Sequence, residues 1–109
     1  MSTKKIQKKS KAKRFLEKVR GRPLTFGELI ESIRQCDEIT QEELAEKLGV
    51  SKAYICDVEK GRRTVSPERA SAFAQVLGYS VDSFVARAIE DQLRNLGLDL
   101  EVEIRAKAA

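Results

Sequence analysis

Two capping boxes, Thr25 with Glu28 and Thr40 with Glu43, each stand directly before an apolar run at helical spacing. In such a box the hydroxyl accepts the amide hydrogen three residues on, and the carboxylate reaches back to the cap's own amide, so each box predicts a helix start. After Thr25, the residues Phe26, Leu29, Ile30 and Ile33 give a first helix one apolar face. After Thr40, Leu44, Ala45 and Leu48 line a second, short helix that Gly49 ends. Ser51 caps a third helix with Ile55 and Val58 turned inward, and Gly61 marks its end. Ser66 opens a fourth, with Pro67 in its first turn and a core face of Ala70, Phe73, Ala74 and Leu77, stopped by Gly78. Ser80 caps a longer fifth, with Val81, Phe84, Val85, Ala88, Ile89, Leu93 and Leu96 in register as far as Gly97. The expected fold class is therefore all-α, with five helices forming one domain over residues 23–97.

The two ends do not follow this pattern. Residues 1–22 hold ten Lys and Arg against the single acid Glu17, a net +9, whereas the rest of the chain holds eleven against sixteen, a net −5. The overall +4 is thus a property of a basic N-terminal arm. From residue 1 to about Lys13 the arm has one sizeable apolar side chain, Ile6, too little to offset the entropy of ordering it. Phe15, Leu16 and Val19 fit a short helix after Ser10 that stops before Gly21 and Pro23. Such an arm reads equally as a solvated tail or as a contact to an anionic polymer. Over residues 98–109 the period changes to two: Leu98, Leu100, Val102 and Ile104 alternate with Asp99, Glu101, Glu103 and Arg105, as in a half-buried β-strand. A lone strand leaves its backbone groups unpaired, so pairing with another chain is expected.

The composition excludes several function classes. With no histidine, and only Cys36 and Cys56 as thiols, a metal centre would have to be assembled from two distant cysteines and carboxylates. No general-base histidine and no glycine-rich phosphate loop are present, and the neighbouring acids Glu42 with Glu43 and Glu90 with Asp91 diverge on their helices, so no enzyme and no cofactor are expected. Neither a secretory leader nor a run of about 20 apolar residues is evident, which points to a cytoplasmic protein with reduced thiols and no membrane partner.

Helix two, a tight glycine turn and helix three carry the functional pattern. Thr40-Gln41-Glu42-Glu43-Leu44-Ala45, Leu48-Gly49-Val50-Ser51, Ile55 and Val58-Glu59-Lys60-Gly61-Arg62-Arg63 together resemble the phage-repressor-like, or Xre, helix-turn-helix family, and the resemblance extends over essentially the whole of Leu24 to Ser80. It implies a five-helix DNA-binding domain whose third helix, residues 51–60, lies in the major groove, and a salt bridge between Arg34 and Glu59. It also places base contacts on Ser51, Lys52, Ala53, Tyr54 and Asp57.

The chemistry of those residue types fits that role. Lys52 can donate to guanine, and Ala53 can touch a thymine methyl. Tyr54 can instead pack on the DNA backbone or the core, and Asp57 can accept from cytosine at an electrostatic cost beside phosphates. Gln41, in the first turn of helix two, can donate to a phosphate. Lys60, Arg62, Arg63 and Thr64 follow the third helix and either hold phosphates or form an ordinary solvated loop.

Double-stranded DNA is thus the expected partner and a dimeric repressor the expected function, because one reading helix contacts few base pairs. The homodimer interface is expected along Leu98, Leu100, Val102 and Ile104. In an antiparallel register centred on Glu103, Glu101 faces Arg105 and Asp99 faces Lys107. Two competing uses of the same elements are an antitoxin, whose strand pairs with a toxin protein while it represses its own operon, and an interaction module that has lost DNA affinity.

Overall fold

A computed structural model of the chain describes residues 24–105 and 107. The arm over residues 1–22, with its expected helix around Phe15, Leu16 and Val19, lies outside the described residues. Among them run five α-helices: α1 Phe26–Cys36, α2 Gln41–Leu48, α3 Lys52–Glu59, α4 Pro67–Leu77 and α5 Val81–Asn95. Each starts where a side-chain cap takes up amides that the first turn leaves without helical acceptors. Thr25 and Thr40 form complete capping boxes with Glu28 and Glu43, and Ser51, Ser66 and Ser80 each accept one first-turn amide.

The inward faces meet in one core. Phe26 packs edge-on to Phe73 at 5.5 Å and to Phe84 at 5.8 Å, joining α1 to α4 and α5. Edge-to-face contact sets the positive rim of one ring against the negative face of the next. Ile30, Leu44, Ile55, Val58 and Ala70 fill the space between them and are almost fully buried. α5 packs most extensively on α4, while α3 packs on both α1 and α2.

Gly27 governs the approach of α1 to α3. A β-carbon at this position would lie 2.1 Å from the Val58 carbonyl oxygen and 3.0 Å from that of Glu59, so only glycine lets the first turn of α1 rest on the last turn of α3. The start of α1 is also held from α5. Asp91 Oδ2 accepts the Phe26 amide hydrogen at 2.6 Å, and Arg94 pairs with Oδ1 of the same carboxylate at 2.6 Å. Burial pushes the Asp91 carboxyl above the usual range, against the opposing pull of the Phe26 amide and of Arg94 and Arg87.

The C-terminal expectations need correction. Leu96, expected on the core face of α5, caps that helix and is 75% exposed; α5 has 15 residues against 11 in α1 and in α4, and the chain turns at Leu96 beyond its last full turn. The strand expected over residues 98–104 is also missing, as no β-strand occurs among the described residues. A ladder requires a second extended segment, and the described residues supply none. Leu98 and Leu100 are exposed there, Val102 and Ile104 half-buried, and the Val102 amide donates to Glu90 Oε2 at 2.8 Å.

Two outcomes follow for stability. Gly27→Ala should cost about 2 to 3 kcal/mol through overpacking, read as a lowered urea midpoint. Because the folded state holds the Asp91 proton more tightly than the unfolded chain, this group's contribution is full below the ordinary aspartate pKa and declines as pH rises through the raised folded value. The difference in Tm between the protein and Asp91→Asn, followed from pH 3 upward (roughly one unit below the ordinary aspartate value), should show that decline.

Candidate nucleic-acid interface

The turn between α2 and α3 consists of Gly49, Val50 and Ser51. Gly49 takes φ +71° and ψ +33°, a left-handed conformation open to glycine at no steric cost, and the Val50 amide folds back onto the Ala45 carbonyl at 3.0 Å. Val50 packs on the core from this turn, and the Ser51 hydroxyl then accepts the Tyr54 amide at 3.0 Å and starts α3. The short connection fixes the angle between the two helices. One side of α3, through Ile55 and Val58, is sealed in the core, while Ser51, Lys52 and Ala53 face solvent at its N-terminal end.

The opposite end of α3 is clamped. Glu59 is 7% exposed and takes three donors. Arg34 Nε reaches Oε2 at 2.7 Å, Arg34 Nη2 reaches Oε1 at 3.2 Å, and Gln41 Nε2 reaches Oε1 at 2.9 Å. Arg34 also donates to the Ile39 carbonyl at 2.9 Å, so a single guanidinium ties α1, the loop before α2 and the end of α3 together. The hydrogen bond to Glu59 is the main reason the Arg34 guanidinium is held charged even more firmly than usual, with burial acting against it. Forked pairing of this kind needs arginine's planar geometry. Gln41, expected at a phosphate, thus spends an N–H inside the domain. Its position directly after the Thr40 cap gave no sign of this, since the contact spans 18 residues of chain.

Around the exposed face the cations divide into those with and those without a carboxylate partner among the described residues. Lys52 Nζ lies 3.3 Å from Glu42, both side chains more than half exposed, a contact that solvent largely screens. Arg62 binds Asp57 through Nε at 3.0 Å and Nη2 at 2.9 Å, and it also donates to Cys56 Sγ at 3.7 Å. Asp57, the acid expected to sit awkwardly beside phosphates, therefore has its countercharge built in. Lys60, Arg63 and Thr64 are exposed.

Tyr54 is half-buried against the core, and two guanidiniums lie by its ring: Arg63 at 5.2 Å and Arg69 at 5.4 Å from the centroid. Arg69, in the first turn of α4, is missing from the sequence-derived set, because nothing in its spacing connects it to α3. Both cysteines are free, Cys36 exposed and Cys56 partly covered. Among the described residues no group of three or more His, Cys, Asp or Glu is arranged to hold a metal ion, and no helix is long and apolar enough to cross a membrane.

The family model described as helix-turn-helix matches residues 30–84, half of the chain. The chain is 37% identical over 62 residues to an immunity repressor protein of Bacillus phage phi105, a stretch covering 57% of this chain and 43% of the phage protein. It is also 36% identical over 62 residues to an HTH-type transcriptional regulator of Mycobacterium tuberculosis (strain CDC 1551 / Oshkosh), covering 57% of this chain and 44% of that one. The match thus spans less than half the length of these relatives.

Removing the buried carboxylate tests the clamp. Glu59→Ala strands the Arg34 guanidinium and one Gln41 donor, and should lower stability by about 3 kcal/mol in urea unfolding.

Proposed function

The chain belongs to the helix-turn-helix family, and on that premise we propose that it is a DNA-binding transcriptional regulator, not an enzyme, that reads the major groove of duplex DNA with α3 and acts as a repressor. The observation that carries this reading is the division of α3. Its inner side and its Glu59 end are locked into the domain, while Ser51, Lys52 and Ala53 project from the N-terminal end with no apolar cover. A helix held in this way can enter a groove about 12 Å wide without rearranging. Lys52, released from its weak surface pair with Glu42, can donate to guanine, and the Ala53 methyl can meet thymine. Lys60, Arg63 and Thr64 supply backbone contacts beside it. Asp57, neutralised by Arg62, need not repel the DNA.

The reading includes a two-fold pair. Leu96, Leu98 and Leu100 are exposed together at the end of α5, an apolar run that a second copy would cover. An antiparallel pairing of Leu98 to Ile104 between copies would supply the missing ladder, with Glu101 opposite Arg105 and Asp99 opposite Lys107. A monomeric mass at micromolar concentration would overturn this part and leave the run to a partner of different sequence, as in an antitoxin.

The test of DNA reading is selection of duplexes from a randomised pool, followed by binding of the winner and of a scrambled duplex at about 50 and 200 mM salt. A specific reader should keep a preference of roughly 1,000-fold at the higher salt. Equal binding that collapses with salt would reduce the protein to a non-specific polycation. Lys52→Ala should change which sequence the pool yields.

A further inference from the structure

The geometry points to a phosphate clamp built from Arg63, Arg69 and Tyr54, which fixes the register of α3 against the DNA backbone without reading any base. This rests on the DNA-binding reading above and adds to it a residue, Arg69, from outside the helix-turn-helix pair.

The observations are electrostatic and geometric. Both guanidinium carbons lie within 5.4 Å of one ring centroid, so they share one aromatic platform although they come from different elements, the loop after α3 and the first turn of α4. Arg63 and Arg69 are exposed, and among the described residues neither makes an ion pair, including with Glu68, the acidic neighbour of Arg69. The other arginines around α3 are occupied, Arg34 by Glu59 and Arg62 by Asp57. Two like charges on one ring, neither with a carboxylate partner among the described residues, form a site for an anion. The ring accounts for their convergence, since its negative face attracts each cation and orients it.

A guanidinium held against a ring keeps N–H groups at its edge free. Those groups match the oxygens of a phosphate in the forked arrangement that arginine favours. Little rotamer freedom is left to lose on binding, which favours tight contact. Tyr54 is the residue directly after Ala53 and its amide is fixed by Ser51, so the clamp is attached to the reading face itself. Tyr54 is then a platform and not a base reader. The ligand is the duplex backbone, a polyanion whose adjacent phosphates are spaced closely enough for two neighbouring arginines to engage one or two of them.

The experiment uses the full chain and the pool-selected duplex. Arg69→Ala and Arg63→Ala should each weaken binding about 5- to 20-fold, on selected and scrambled duplex alike, and each should reduce the slope of log affinity against log salt by about one. The sequence each variant recovers from the pool should match that of the unaltered protein. Arg69→Lys should keep the slope, because the charge remains, and lose part of the affinity, because the planar stack is gone. Affinity within about twofold of the unaltered protein at both salts, an unchanged slope, or a different recovered sequence for Arg69→Ala would overturn the clamp. If the unaltered protein selects no duplex, the DNA-binding reading itself fails; if it selects one that Arg69→Ala binds equally well, only the clamp fails.

Discussion

The buried carboxylate of Glu59 is the constraint on which the rest of the structure depends. It terminates α3 inside the domain, where an ionised group is tolerable only with its lone pairs filled, and Arg34 and Gln41 fill them from α1 and α2. That requirement brings three helices to one point. The close approach of Gly27 to the Val58 carbonyl belongs to the same contact, because a helix end drawn in by a fork of hydrogen bonds can descend only if nothing projects beneath it. Asp91, holding the Phe26 amide from α5, fixes the start of α1 and completes the frame.

With one end of α3 fixed in this way, its face is shaped by which charges the domain already satisfies. Asp57 and Arg62 neutralise each other across one turn, and Lys52 meets Glu42 only at the surface. Arg63 and Arg69 are left facing outward, against the same aromatic ring. A formal count of positive residues in the loop after α3 treats Arg62 and Arg63 alike, yet one has a carboxylate partner and the other has none among the described residues.

Much of this was legible in the sequence where the governing contacts are local. The five caps act over three residues, so Thr25, Thr40, Ser51, Ser66 and Ser80 could be read directly, and so could the apolar faces of α1, α3 and α4. Leu96 was misjudged because periodicity continues past the point where a helix stops, and only neighbouring elements decide where burial ends. The alternation of Leu98 to Ile104 is real as a pattern, but a strand is a relation between two segments and one segment cannot establish it. The Arg34–Glu59 pair came from family resemblance. The turning of Gln41 to Glu59 and the convergence of Arg69 on Tyr54 span 18 and 15 positions and arise from tertiary placement, which spacing does not encode.

Because α3 is anchored by its buried side and its C-terminal end, Lys52 and Ala53 contribute almost nothing to holding the domain together. Residues under so little structural obligation can be exchanged one at a time while the fold stays intact. Under the proposed DNA-reading role, a lineage carrying this scaffold can therefore acquire a new operator preference by neutral steps, each variant folding as well as the last, whereas any drift at Gly27 or Glu59 would be removed before its effect on recognition could matter.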